Sequence, residues 1–276
     1  MQEEFNQSSQ DRIAAILDRL SKVPEGKNIV SFLETNKVKF DLQDEPANWA
    51  ASTLTITSVK DGLYYYKDPV IILKKGLSDD NLLQAIIHES EHINQHLSHV
   101  GNPDRILSQE QCILFYRGAE ADAQACCTDV SWKLKEAGDP GAWEATGFVG
   151  YKDICEAYEK AVAEDPLAAE NGRAKRAAFD AWFSNPDRLA GYNKSTVESM
   201  IPFLEKGRNE IFKDHGLKEG KLDDSWLKKL DGSAAAPYLQ HGRNILEDSF
   251  YFRDIAARPP EKKKTVTPPQ PPPPAA

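Results

Sequence analysis

The stretch from Ser78 to Leu97 constrains the fold most, because its apolar residues recur with the period of an α-helix. Ser78 is a good N-cap, and Asp79 and Asp80 follow it in the first turn, where the helix dipole favours negative charge. The residues of the helical stripe are Leu82, Leu83, Ile86, Ile87, Ser90, Ile93 and Leu97. The pattern predicts an amphipathic helix.

A small β-sheet is predicted immediately before this helix. Residues 53–59 (TLTITSV) alternate in polarity and are rich in β-branched side chains, which is typical of a half-buried strand. Asp61 and Gly62 supply turn chemistry, and residues 63–66 and 70–73 read as further strand. The intervening Asp68-Pro69 indicates an edge strand or a bulge, because proline cannot donate to a ladder.

The rest of the chain reads as helix and loop, so we expect an α+β fold that is mostly α. We divide it into an N-terminal helical segment (1–47), a core with the sheet and the Ser78 helix (48–137), a helical region that could roof a cleft (138–258), and a tail (259–276). Helices are predicted at residues 11–20, around 28–34 and from about 104 to 136. The proline-rich tail is expected to be disordered, and it could dock on a partner domain.

The charge of the chain argues against two classes of partner. The net charge is −9, and without the tail, which holds three Lys and one Glu, it is −11. An acidic body is a poor fit to nucleic acid and to anionic membranes. We see no Sec signal and no apolar stretch of about 20 residues, so we expect a cytoplasmic protein, with export by another route left open.

The predicted Ser78 helix carries an H-E-x-x-H motif at His88-Glu89-Ser90-Glu91-His92. Residues four apart on a helix lie about 6 Å apart along the axis, so both imidazoles can converge on one metal ion. Glu89 is turned by about 100° from His88, so it would flank the ion and could take a proton from a metal-activated water. A zinc site of this type keeps one coordination position open for that water.

A third ligand is expected from the following helix. His96 lies about 12 Å along the axis from His88, too far to share its ion, so we interpret His96 and His99 as surface or second-site residues. Glu120 lies among small residues that allow close helix packing, and Gln124 could hydrogen-bond a ligand. The alternative is a solvated Glu120 paired with Arg117.

The position of Glu120 along its helix leaves a second carboxylate possible as the third ligand. Strictly antiparallel helices would bring Glu110, our reserve ligand, level with His92. Glu120 can lie level with His92 only if the second helix begins late, with Ser108 as its cap, or if the two helices cross steeply.

Residues 53–130, with the strands, the HESEH helix and the run EADAQA, resemble gluzincin-type zincin metallopeptidases. They are similar to the minimal zincins related to the ImmA/IrrE peptidases, which have a comparable Glu-Ala run. The resemblance implies a zincin-like core, Zn²⁺ bound by His88, His92 and Glu120, and Glu89 as general base. It also implies a peptide or protein substrate paired to an edge strand, for which Val70 to Leu73 is the candidate, an ordinary buried strand being the alternative. The long helical region after Gly138 has no match in that pattern.

The leading hypothesis is therefore a zinc-dependent peptidase. One alternative is a non-catalytic zincin-like regulatory or interaction module, and another is a helical interaction protein whose HESEH is incidental. A peptidase also needs a donor to the oxyanion, and the candidates are Tyr192, His215, Tyr238, His241 and Arg243.

Overall fold

The computed structural model describes residues 2–44, 50–60, 63–97 and 109–195. Two helices, α1 (Gln2–Leu20) and α2 (Pro24–Thr35), precede three strands, β1 (Lys39–Gln43), β2 (Ala50–Lys60) and β3 (Leu63–Lys74). Helices α3 (Asp79–Leu97) and α4 (Gln109–Glu136) follow. The remaining elements are α5 (Gly141–Thr146), a π-helical turn (Gly147–Tyr151), α6 (Lys152–Glu164), α7 (Arg173–Trp182) and α8 (Pro186–Ser195). The prediction of a mostly helical α+β fold is confirmed.

The three described strands form one mixed sheet in the order β1-β3-β2, with β1 parallel and β2 antiparallel to β3. The ladder steps from Thr53↔Val70 to Thr55↔Lys67, so Asp68 and Pro69 face a single residue of β2. Asp68 has a positive φ of 49°, and this bulge accommodates the proline within the strand. The bulge that Pro69 indicated is thus present.

The expectation that Val70 to Leu73 forms an edge strand was wrong. These residues lie in β3, which is bonded on both sides, because β1 pairs with them in parallel. The sequence analysis did not predict β1. Its five residues KFDLQ do alternate between polar and apolar, but the run is short and lies apart from the strands read at 53–73. The edges of the described sheet are therefore β1 and β2.

One hydrophobic core lies where the sheet, α1, α2 and the apolar stripe of α3 meet. Its buried members are Ile13, Ile16, Leu20, Val23, Leu33, Ile71, Leu73, Leu82, Leu83, Ile86, Ile87, Ile93, Cys127, Val130, Leu134 and Ala142. The Ser78 hydroxyl caps α3 by accepting a hydrogen bond from the Asn81 N–H, at 3.2 Å. Arg19 of α1 bonds Asp80 (2.8 Å) and Asp139 (2.7 Å), which ties three segments together. Helix α3 is therefore held firmly at its N-terminal end.

A second core, rich in aromatic residues, joins α4 to the helices that follow it. Ala121 and Ala125 of α4 pack with Trp143, Ile154, Cys155, Tyr158, Ala168, Ala174, Ala178, Phe179, Trp182, Phe183 and Leu189. Helix α4 thus lies between both cores, and its small side chains allow α7 and α8 to approach. None of the described helices has the length and apolar composition of a membrane-spanning segment.

Candidate metal centre

Helices α3 and α4 bring two imidazoles and one carboxylate together. The His88 and His92 Nε2 atoms lie 3.1 Å apart. Glu120 Oε2 lies 3.4 Å from His88 Nε2, and Glu120 Oε1 lies 3.5 Å from His92 Nε2. The potential ligand atoms all lie within 4.8 Å of one another, so these three side chains form a group that could hold a metal ion.

The helices run antiparallel across this group. Toward the end of α3, the Gln95 amide reaches the Ala119 carbonyl, whereas one turn before His88 the Cys127 thiol donates to the Gln84 carbonyl. Glu120 therefore lies level with the histidine pair. The position of Glu120 follows from the register of α4 against α3, and contacts between the two helices such as these determine that register.

Electrostatics favour a positive charge between these three residues. Burial, the largest single influence, would lower the pKa of His92, but the charge and hydrogen bond of Glu120, the charge of Glu89 and the hydrogen bond of Gln95 together outweigh it and raise that pKa to about 10. Burial would conversely raise the pKa of Glu120, yet His92 and the hydrogen bonds from both histidines hold it well below its usual range. In the protein without metal, a proton on His92 supplies the charge that a bound cation would supply instead.

Gln95 orients His92 from the side opposite the centre. Its Oε1 lies 3.0 Å from His92 Nδ1, while its Nε2 donates to the Ala119 carbonyl (2.9 Å) and to Asp122 Oδ2 (3.0 Å). Both partners of Nε2 are acceptors only, so Oε1 must accept from Nδ1–H. When His92 is neutral, this bond leaves the Nε2 lone pair directed at His88 and Glu120.

A cleft of about 410 Å³ opens beside His88. Its lining residues are Ala50, Leu77, Asn81, Gln84, Ala85, His88, Glu89, Gln124, Tyr151 and Tyr192. Glu89 is only 8% exposed, yet it lines this cleft next to His88. A carboxylate there is in the position of a general base for a water molecule bound in the cleft.

Tyr192 closes the cleft from α8. Its hydroxyl donates to Glu120 Oε2 (3.1 Å) and lies 3.4 Å from the Tyr151 hydroxyl. Burial, followed by the charge of Glu120, raises the pKa of Tyr192, so the phenol keeps its proton and remains a donor. Asn193, the next residue, accepts a hydrogen bond from the buried Arg117 (3.0 Å), which anchors α8 on α4.

The comparisons with known proteins bear on this group of residues. A family model described as “Putative metallopeptidase family (DUF6782)” matches residues 2–217. The chain belongs to this family. The match spans every described element, and a metallopeptidase family implies a metal ion and peptide-bond hydrolysis. No curated protein and no solved structure matches the chain.

This family membership confirms the prediction of a metallopeptidase, without its metal or mechanism. The structure gives positions for most of the predicted site residues. His88, His92 and Glu120 come together, and Glu89 lies beside them. The backbone of Glu110 lies ten residues, or about 15 Å of helix axis, before Glu120 on α4, and its side chain is outside the described residues. His96 lies outside the group. His99, Ser108, His215, Tyr238, His241, Arg243 and the tail (259–276) lie outside the described residues.

Two polar side chains differ from the expectation. Gln124 was expected to hydrogen-bond a metal ligand. The amide that bonds one of the three ligands is Gln95, and the Nε2 of Gln124 has no partner among the described residues. Arg117 was weighed as the partner of Glu120, whereas its Nε donates to Asn193. The position of Gln95, three residues after His92 on the same helix, was a signal that could have identified it.

Proposed function

We propose that the chain is a zinc-dependent metallopeptidase in which His88, His92 and Glu120 bind the ion and Glu89 is the general base. The observation that carries the proposal is the spacing of the three ligands. Ligand atoms about 2.1 Å from a tetrahedral ion lie about 3.4 Å apart. The two imidazole nitrogens are 3.1 Å apart, and each lies 3.4 or 3.5 Å from one of the two Glu120 oxygens, which is close to that spacing. With one ligand atom taken from each residue, the three atoms lie within 4.8 Å of one another. Two imidazoles and one carboxylate are also a donor set typical of catalytic zinc sites.

When bound at such a site, zinc polarises a carbonyl and lowers the pKa of a water molecule to about 7. Glu89 accepts a proton from the attacking water and transfers it to the leaving amine. Its place in the cleft wall next to His88 puts it in reach of both the water and the leaving group. Tyr192 is the donor to the developing oxyanion, since it lines the same cleft and its phenol keeps its proton. For this its single O–H turns from Glu120 Oε2, to which it donates in the structure, toward the substrate.

An extended peptide is the substrate that the cleft suits best. Ala50, the first residue of β2, lines the cleft, and β2 pairs only with β3 among the described strands. An unpaired strand edge offers main-chain donors and acceptors to an extended segment. The strand proposed to bind substrate is therefore β2. The same cleft favours hydrolysis over a non-catalytic module, which would not need one.

Zinc content and peptide hydrolysis, measured on a small set of variants, test the proposal. His88→Ala and Glu120→Gln should lose the roughly one zinc per chain, because each removes a ligand. Glu89→Gln should keep zinc and lose hydrolysis. The matched control is Glu91→Gln. Glu91 lies on the same helix and is similarly buried, at 9% exposure, but it accepts a hydrogen bond from Asn94 and does not line the cleft.

The outcomes separate the two readings of the site. Zinc retained together with activity in Glu89→Gln would show that Glu89 is not the base. Zinc bound by the unmodified chain without hydrolysis of any peptide in a random-sequence library would favour the non-catalytic module. An unmodified chain that binds no zinc would contradict both.

A further inference from the structure

Two amide side chains in the cleft have hydrogen-bonding atoms that the described part of the protein does not use. Gln124 is only 1% exposed, and its Nε2 donor has no partner among the described residues. The Oδ1 acceptor of Asn81 is likewise buried and without a partner there. Both residues line the same cleft as His88 and Glu89. A buried polar atom without a partner is destabilising, because it has lost its hydrogen bonds to water, so its presence in a cleft wall points to a ligand.

The two amides lie on one side of the metal centre. Gln124 follows Glu120 by one turn of α4, about 6 Å along the axis, and in the antiparallel pair this is toward the N-terminus of α3. Asn81 precedes His88 by two turns of α3, about 10 Å along the axis. This distance is about three residues of extended chain at 3.3 Å each. The cleft thus offers a donor near the metal and an acceptor further out.

We infer that Gln124 and Asn81 are substrate-positioning residues that bind the peptide main chain on this side of the scissile bond. Gln124 Nε2 donates to a main-chain carbonyl of the residue nearest the metal, and Asn81 Oδ1 accepts a main-chain N–H about three residues away. The inference rests on the proposed peptidase function. The cleft offers one donor and one acceptor, and its wall also holds the small side chains of Ala50 and Ala85. This combination matches a main chain and not a particular side chain.

Affinity for hydroxamates tests this inference without any need for catalysis. Acetohydroxamate is the probe for the metal alone. Two series extend from it in opposite directions, namely acetylated oligoalanine hydroxamates and succinyl hydroxamates of oligoalanine amides, each with one to four alanines. Calorimetry on the zinc-loaded full chain measures Kd for the unmodified protein, for Gln124→Met and for Asn81→Ala.

Methionine keeps the length of Gln124 and removes its donor, while the bond from Thr128 Oγ1 to the Gln124 carbonyl uses the backbone and persists. In one of the two hydroxamate series, Gln124→Met should raise Kd about tenfold for every compound, beginning with the one that carries a single alanine. Asn81→Ala should weaken binding by a similar factor only with three or more alanines. Gln43→Met is the control, since this glutamine lies on β1 and bonds Asp41.

Three results would contradict the inference. Extended compounds that bind both variants within about twofold of the unmodified protein would show that the amides do not contact the main chain. Weaker binding of acetohydroxamate itself to Gln124→Met would show that this residue acts on the metal site. Failure of the unmodified chain to take up zinc before the titrations would refute the metal centre itself, and is thus distinguishable from the first two.

Discussion

Replacement of Gln95 by leucine tests how much the protein contributes to the metal site beyond its three ligands. Gln95 is 3% exposed, and its amide makes three hydrogen bonds, to His92 Nδ1, the Ala119 carbonyl and Asp122 Oδ2. Leucine fills a similar volume but removes all three bonds. His92 Nδ1–H then has no acceptor in this position, and the ring is free to rotate away from His88 and Glu120.

The expected magnitude follows from the position of Gln95 behind a ligand. Loss of a partner that orients a metal-binding histidine costs about 10-fold to 100-fold in metal affinity. This corresponds to about 1.4–2.8 kcal/mol. The orphaned Nδ1–H and Asp122 oxygen each lower the free energy of unfolding by a further 1–3 kcal/mol, roughly. Both effects are large enough to measure separately.

Competition with a fluorescent zinc chelator measures the affinity, and urea unfolding of the metal-free protein measures the stability. Asn94→Leu is the matched control, because this neighbouring amide donates to Glu91 Oε1. We expect it to keep zinc affinity within about twofold. A folded Gln95→Leu protein whose zinc affinity stays within about threefold of the unmodified chain would refute the role of Gln95.

Three further predictions concern Tyr192, the protonation of His92 and the second core. Tyr192→Phe should keep zinc and lower kcat about 100-fold, as steady-state kinetics and metal analysis would detect; unchanged kcat would refute its role as donor. Because the pKa of His92 without metal is raised to about 10, zinc binding at pH 8 should release about one proton from it, seen by calorimetry in buffers of different ionisation enthalpy. By the same shift, the pair of His92 with Glu120 stabilises the metal-free protein fully between about pH 4.5 and 6.5. This contribution is lost as pH rises through about 10, where His92 loses its proton, and as pH falls below 4.5 toward the lowered pKa of Glu120; no proton release on zinc binding would contradict the His92 statements. Trp182→Ala should lower the free energy of unfolding by about 3–5 kcal/mol and weaken catalysis, since the Trp182 ring packs 5.1 Å from that of Tyr192, and a loss below about 1 kcal/mol would be inconsistent with this packing.

Local periodicity was sufficient to predict the histidine pair. An α-helix places residues four apart on the same face whatever packs around it, so His88 and His92 were determined once Ser78 to Leu97 was recognised as a helix. Glu89 followed from the same geometry. These residues needed no information from distant parts of the chain.

The third potential ligand depended on tertiary packing, which periodicity does not encode. Glu110 and Glu120 lie on the same long helix, and only the register of α4 against α3 decides between them. That register is set by contacts such as Gln95 with Ala119 and Cys127 with Gln84. The small residues around Glu120 were an indication of close packing, but they did not determine its level.

The sheet shows the same limit. The strand content around residues 53–73 followed from alternation, whereas the central position of β3 depends on β1, which pairs with it in parallel from a segment about 30 residues earlier. A strand becomes central or edge through its partners, and these are not local. For this reason the strand proposed to bind substrate is β2 instead of Val70–Leu73.

The most direct test of the zinc site is anomalous diffraction at the zinc absorption edge, from crystals of the zinc-loaded chain. We expect a single peak within about 2.1 Å of His88 Nε2, of His92 Nε2 and of one Glu120 carboxylate oxygen. A zinc-loaded crystal with no peak between these three residues, or with its peak at other side chains, would contradict the assignment of the metal centre.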